Sequence, residues 1–173
     1  MHELSRRKAT PEDLPFLVTL RHETMNPHLV ASGVDQSEDE HLRRILVNFE
    51  SAEILTQGYE PAGLLKVVRD GQLWELVQVQ LLPSIQGQGL GTKLLKQLVS
   101  EAQAANASLR LSVLKANPAR RLYGRLGFTV VAEKAHAFEM QRAPNPSIER
   151  DAQGLSPLAA PHVKRWASLL WRF

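Results

Sequence analysis

Apolar positions change their period several times along the chain, and each change marks a structural element. Residues 73–82 form a strand-like run rich in apolar side chains, and Pro83 closes it. Over residues 91–105 the apolar residues recur at helical spacing. Residues 108–114 are again strand-like, and 118–126 read as a helix that Gly127 stops. Residues 129–135 and 137–142 form a closing hairpin in this reading. Upstream, a strand end at Ala9 leads into a helix that Thr10 caps, Pro11 opens and Glu12 and Asp13 favour through the helix dipole. That helix is expected to reach about Thr24, with Asn26-Pro27 breaking it. A second helix is expected over residues 37–49, burying Leu42, Ile45, Leu46 and Phe49 on one face. Strands at 53–57 and 62–68 follow, and Asp70-Gly71 is a hairpin turn into the long strand. Strands and helices interleave around one mixed sheet. The fold class is α/β, a largely antiparallel central sheet flanked by helices.

Between the long strand and its helix stands Gln86-Gly87-Gln88-Gly89-Leu90-Gly91. A glycine-rich turn at a helix N-terminus presents several backbone N–H groups at the positive end of the dipole, an arrangement that holds phosphate. Glycines let the backbone approach such a ligand with no Cβ in the way. Two familiar phosphate loops fit badly. A Walker A loop ends in Gly-Lys-Ser/Thr, and this one runs Gly91-Thr92-Lys93. A dinucleotide fingerprint is G-x-G-x-x-G, and here the spacing is G-x-G-x-G. On these residues alone, an ordinary tight strand-to-helix connection explains the loop equally well.

A second segment separates the readings. Val113-Leu114-Lys115-Ala116-Asn117-Pro118 is followed by Ala119-Arg120-Arg121-Leu122-Tyr123-Gly124-Arg125-Leu126-Gly127-Phe128. The pattern Gln-x-x-Gly-x-Gly after a strand, then strand–Asn–helix–Tyr–Gly-Phe, resembles the GNAT superfamily of N-acetyltransferases. The resemblance runs over about residues 8–142, and its specific motifs lie within 73–128. It implies the GNAT fold, acetyl-CoA as co-substrate and an amine acceptor, small-molecule or peptide. It assigns the coenzyme to Gln86, Gly87, Gln88, Gly89, Leu90, Gly91 and Thr92 of the loop, and to the backbone of Val79 and Leu81. Asn117 would bond the pantetheine arm or the helix start, and Arg120, beside Arg121 and Arg125, would border the phosphates.

Amine acetylation needs a proton taken from an ammonium whose pKa is near ~10, a polarised thioester carbonyl and a proton for the departing thiolate. Glu75, flanked by Trp74 and Leu76, stands where family members with a strand-borne glutamate base have it. A solvent-facing carboxylate at a strand start is the competing reading. Tyr123 stands where the family has its acid, and its phenol can donate to the thiolate; a plain core tyrosine competes. Acceptor specificity is expected in Arg21–Val34 and the Glu133–Phe138 hairpin; His22 and His28 flank the Met25-Asn26-Pro27 break there, and plain surface histidines are the preferred reading of the two. No H-E-x-x-H or similar spacing occurs, and no metal is expected.

Composition changes this picture little. Hydrophobic residues make up 43% of the 173, enough for a core. No stretch has the length and apolarity of a transmembrane helix, and the charged N-terminus lacks a following apolar region, so a cytoplasmic enzyme without stable membrane association is the expectation. The chain has no cysteine, which excludes disulfides and thiolate chemistry. Of the net charge of +3, the segment from 144 onward carries +2, and no basic stripe with interleaved aromatics points to nucleic acid. At Ala143-Pro144-Asn145-Pro146 the composition shifts. Residues 1–143 read as the acetyltransferase domain. Residues 144–173 read as a proline-rich linker and a short amphipathic segment ending in Trp166, Leu169, Leu170 and Phe173. That segment suggests docking or a homodimer, with a membrane-surface anchor as the lesser alternative; Asn145-Pro146-Ser147-Ile148-Glu149-Arg150, with Pro161-His162-Val163-Lys164-Arg165, resembles integron-cassette read-through. Two rivals to the enzyme stand: a catalytically silent acyl-CoA-binding module of the same fold, and a nucleotide binder using the loop for another phosphate.

Overall fold

In the computed structural model, which describes residues 4–34 and 37–144, seven strands and four helices follow one another along the chain. The strands are β1 (Leu4–Lys8), β2 (Ala52–Gln57), β3 (Glu60–Asp70), β4 (Leu73–Leu81), β5 (Ser108–Leu114), β6 (Thr129–Glu133) and β7 (Ala137–Arg142). The helices are α1 (Leu14–Ser32), α2 (Glu38–Leu46), α3 (Leu90–Ala104) and α4 (Ala119–Arg125). The strands make one sheet in the order β1-β2-β3-β4-β5-β7-β6. Only β4 and β5 run parallel, joined by the crossover through α3. The α/β class and the largely antiparallel sheet are those expected from the sequence pattern. The segment from 145 onward lies outside the described residues, and with it the expectations for the linker, the amphipathic segment and the homodimer.

Each face of the sheet carries its own core. On one face Leu94, Leu95, Leu98 and Ala102 of α3, with Tyr123 and Phe128, pack on Leu65, Val67, Leu76, Leu109, Leu111 and Met140. On the other, Leu17 and Leu20 of α1 and Ile45 of α2 cover Ile54 and Leu64. Each such side chain contributes about 1.5–3 kcal/mol through the apolar area it removes from water.

A β-bulge positions the site. The β3–β4 register shifts between Lys66 and Val67, pairing Lys66 with Gln78 but Val67 with Leu76, so Val77 is the extra residue. A bulge reverses which face later side chains occupy. Trp74 and Leu76 before it, and Val79 and Leu81 after it, all join the α3-side core. Bulges also bend and twist a strand. The parallel ladder with β5 ends at Leu76 opposite Leu111, immediately before Val77. Beyond that point β4 stays on β3, β5 stays on β7, and the two strands are no longer bonded to each other.

Two expectations for the helices are corrected. Asn26-Pro27 does not end the first helix; α1 continues to Ser32 with Pro27 inside it. Proline removes an intrahelical hydrogen bond there at a cost of roughly 3 kcal/mol. Packing of Met25, Leu29 and Val34 against Leu114 offsets that cost. The helix stops instead at Gly33, in the left-handed region at φ 64°, where the Gly33 and Val34 N–H groups donate back to Val30 and Leu29. On α2 the buried residues are His41 and Ile45, whereas Leu42 and Leu46 are exposed. A polar contact, described below, turns the His41 face inward. The remaining element boundaries moved by one to three residues, as helix and strand ends do.

Under α2 lies a buried charge that the sequence did not announce. Lys66 of β3 is 0% exposed. Its Nζ donates to the carbonyls of Ile45 (2.7 Å), Val47 (2.8 Å) and Arg44 (3.2 Å), and so caps the C-terminal end of α2. Burial, then the charge of Arg21, pushes its pKa down to about 8.

Candidate active site

Where β4 and β5 separate, a cavity of about 140 Å³ opens towards α1 and α2. Glu75, Gln78 and Gln80 of β4, Arg110 and Ser112 of β5, and Glu139 of β7 line it from the sheet. Asn117 and Tyr123 line it from the α4 end, and Arg21, Met25 and Glu40 from α1 and α2. Several of these polar groups are buried without a hydrogen-bond partner among the described residues: Gln78 Oε1, Gln80 Nε2 and Arg110 Nε. Buried polar atoms are nearly always paired, so a polar ligand in the fork is what this lining calls for.

Glu75 is half-buried and does not point into open solvent. It sits beside Arg110 in the parallel ladder. Its pKa is raised, by burial first; Arg110 opposes the shift and Glu139 adds to it. A carboxylate so placed accepts a proton closer to neutrality than an exposed one. Tyr123, on α4, has its ring edge-to-face with Phe128 at 5.8 Å between centroids. Burial pushes its pKa up to about 12, so the phenol stays protonated and can donate. Among the described residues nothing is hydrogen-bonded to its hydroxyl. One cavity wall therefore carries a proton acceptor and the other a proton donor.

The short turn before α4 explains how Tyr123 is aimed. Asn117 Oδ1 accepts the Ala119 N–H at 2.9 Å, and the Asn117 N–H donates to the Leu114 carbonyl at 2.9 Å. Asn117 thus starts the helix whose second turn carries Tyr123, and it lines the cavity as well. At the far end of α4 the Phe128 N–H donates to the Tyr123 carbonyl at 3.1 Å and locks the Gly127-Phe128 corner.

The glycine loop sits at the open end of β4. After Leu81 comes a 3₁₀ turn, Pro83–Ile85, and then α3 begins at Leu90. Gly87 at φ 75° and Gly89 at φ 78° lie in the left-handed region, which glycine adopts without strain. Gly89 is the residue that caps α3, and no side chain caps the helix. The first N–H groups of a helix have no partner within it, so those at the start of α3 face outward. Gln86 Nε2 donates to the Leu81 carbonyl at 2.8 Å and ties the loop to the strand end. Val79 and Leu81 lie on the part of β4 that has left β5. Arg120 is exposed on α4, with its guanidinium 4.1 Å from the centroid of the Phe138 ring.

The α1–α2 wall includes Arg21 and His22, from the stretch expected to hold acceptor specificity, and Glu40 and His41, which the sequence reading did not single out. Arg21 is buried, and its Nε donates to Nδ1 of His41 at 3.1 Å. His41 in turn lies against the ring of His22, 4.5 Å between centroids. Glu40 accepts from Arg43 and Arg44, which hold its pKa down to about 2. No group of three or more His, Cys, Asp or Glu side chains disposed to bind a metal occurs among the described residues. No helix among them is long and apolar enough to cross a membrane.

Comparison with known proteins agrees with the fold. The family model described as "Acetyltransferase (GNAT) domain" matches residues 22–140. Among curated proteins none matches the sequence. Among solved structures, an acetyltransferase from Thermus thermophilus superposes with a TM-score of 0.66 at 24% identity, covering 83% of this chain and 99% of that one. The PaiA N-acetyltransferase from Thermoplasma acidophilum, solved in complex with coenzyme A, gives 0.65 at 18% identity, covering 82% and 99%. The ribosomal-protein-S18-alanine N-acetyltransferase from Escherichia coli gives 0.59 at 20%, covering 88% and 99%. At these identities the likeness is one of fold.

Proposed function

The chain belongs to the GNAT acetyltransferase family, and from that premise we propose that it transfers an acetyl group from acetyl-CoA to a primary amine by direct attack in a ternary complex. The observation that carries this reading is the fork itself. It has unpaired polar groups on its walls and Glu75 on one side and Tyr123 on the other, and the strand that forms one arm of it runs on into the bare N-terminus of α3. The N–H groups of residues 87–92 receive the pyrophosphate, and Gln86 holds the loop in shape for it. The released backbone around Val79 and Leu81 bonds the pantetheine amides. Asn117 reaches the same arm, and Arg120 supplies a cation at the rim.

Glu75 takes a proton from the incoming ammonium. The freed amine forms the new C–N bond at the thioester carbonyl, the C–S bond breaks, Tyr123 gives its proton to the departing thiolate, and the nitrogen, cationic after attack, releases its remaining extra proton to solvent. Exchange with solvent then restores both side chains. No covalent enzyme intermediate is needed, and no step draws on a metal. The fork and both proton-transfer residues lie before the end of β7, so the catalytic unit is residues 1–143.

The test is thiol release. The chain has no cysteine, so a thiol-reactive dye reports only the CoA set free. Acetyl-CoA with a panel of amines should release CoA and yield a product one acetyl group heavier. Acetyl-CoA binding with no release for any amine would favour a silent acyl-CoA-binding module. Protection by ATP or NAD but not by CoA would favour a nucleotide binder.

A further inference from the structure

We propose that the amine acceptor carries a carboxylate and that Arg21 binds it. The inference rests on the acetyltransferase reading and names its substrate class. Arg21 is 5% exposed and lines the same cavity as Glu75 and Tyr123. Its Nε is fixed by His41 Nδ1, which orients the guanidinium plane and leaves the two terminal nitrogens as a fork. No carboxylate among the described residues forms an ion pair with it.

A buried guanidinium without a counter-ion is unfavourable unless something completes it. The acids near this wall are already engaged. Glu40 is held by Arg43 and Arg44, Glu139 by Lys134, Asp13 by Arg7, and Glu38 faces His22. His41 is no counter-ion, because a ring nitrogen that accepts from a guanidinium belongs to the neutral imidazole. Burial, then the charge of Arg21, keeps the His41 pKa low. The positive charge of Arg21 shows on two neighbours, His41 and Lys66, whose pKa values it helps to lower. Arg21 itself falls to about 10, through burial first and then Arg44, and Lys66 behind it is lowered in part by Arg21.

The opposite wall carries two carboxylates, Glu75 and Glu139, with Arg110 beside Glu75; burial raises the Glu75 pKa, Arg110 opposes the rise and Glu139 adds to it. A ligand with an amine at Glu75 and an anion at Arg21 completes both ends. A single planar fork matches a carboxylate in charge and shape, through two parallel N–H···O bonds.

Calorimetry on the full chain saturated with CoA tests this. The probes are glycine, L-alanine, L-glutamate, β-alanine and γ-aminobutyrate, each against its carboxamide, with aminoalkyl phosphonates as the other oxyanion. At least one carboxylate should bind about ten- to a hundredfold more tightly than its amide, the range for hydrogen bonds to a charged group. The ratio should fall to about one in R21Q and recover in part in R21K. Values of kcat/KM with acetyl-CoA should follow the same order.

Equal binding of carboxylates and amides by the wild type overturns the proposal, however the variants fold. So does a preference for phosphonates, or an unchanged ratio in a folded R21Q. Carboxylate-selective binding with no acetylation of any amine supports the anion site and removes the acetyltransferase reading. Acetylation without carboxylate preference does the reverse.

Discussion

Replacing Gly63 by alanine tests whether the end of β4 is held in place by packing alone. Gly63 lies on β3 opposite Leu81. A Cβ there would stand 2.3 Å from the Gln80 carbonyl oxygen, 2.9 Å from Leu81 Cδ2 and 3.2 Å from Leu55 Cδ1. The two leucine methyls can turn away. The carbonyl belongs to the strand, and it must retreat to at least 3.0 Å. Overpacking of this kind costs about 1–3 kcal/mol. The reduced freedom of the unfolded chain returns about 0.4–1 kcal/mol. A net loss of about 1–2 kcal/mol lowers the melting midpoint by roughly 2–8 °C in a domain of this size.

The functional effect should be larger than the loss of stability suggests. Gln80 and Leu81 belong to the released part of β4, where the pantetheine arm is proposed to lie. A displacement on the order of 1 Å at a positioning group costs up to about a hundredfold in rate. The assays are thermal melting and kcat/KM for acetyl-CoA, with a fall of about tenfold or more expected in the latter. A G63A protein indistinguishable from wild type in both would show that the close approach does not position the strand.

Four other outcomes are expected. Tyr123→Phe removes one hydroxyl and should lower kcat by about a hundredfold, with a smaller effect on the KM for acetyl-CoA; equal rates across pH would remove the tyrosine from the mechanism. The Glu75 carboxyl must be ionised to act, and its pKa is raised. The acidic limb of kcat/KM should therefore lie above the usual glutamate range, activity being lost as pH falls through it, and Glu75→Gln should abolish that limb. Gly89→Val meets no atom within 4 Å but forces a branched side chain into φ 78°, at about 1–2 kcal/mol, so acetyl-CoA binding measured by calorimetry should weaken while the circular dichroism stays that of a folded protein. A chain ending at Ala143 should fold, bind acetyl-CoA and turn over; insolubility or inactivity would place part of the domain beyond that residue.

Much of the fold was legible because its signals are local. The strand-like run of 73–82, the helical spacing after Gly91, the Asp70-Gly71 turn and the Asn117-Pro118 start each act through neighbouring residues. The glycine loop and the Asn117–Phe128 segment were legible as a pair. Pro27 misled because the packing of Leu29 and Val34 on Leu114 is long-range and outweighs a local preference. Leu42 and Leu46 misled because the inward turn of α2 is set by Arg21 and His41, twenty residues apart in sequence. Lys66 carries no local mark of burial, because the carbonyls its Nζ caps lie at the end of α2, 19 to 22 residues away in sequence. The bulge did leave a trace. Between Glu75 and Gln78 stands the apolar pair Leu76-Val77, a slip in the period-two pattern that marks where β4 changes face.

The most direct test of the account is a crystal structure of the protein with CoA. The account predicts the pyrophosphate on the N–H groups of residues 87–92, the pantetheine arm along the released end of β4, and the sulfur in the fork within hydrogen-bond reach of the Tyr123 hydroxyl. CoA bound elsewhere, or a sulfur remote from both Tyr123 and Glu75, would contradict it.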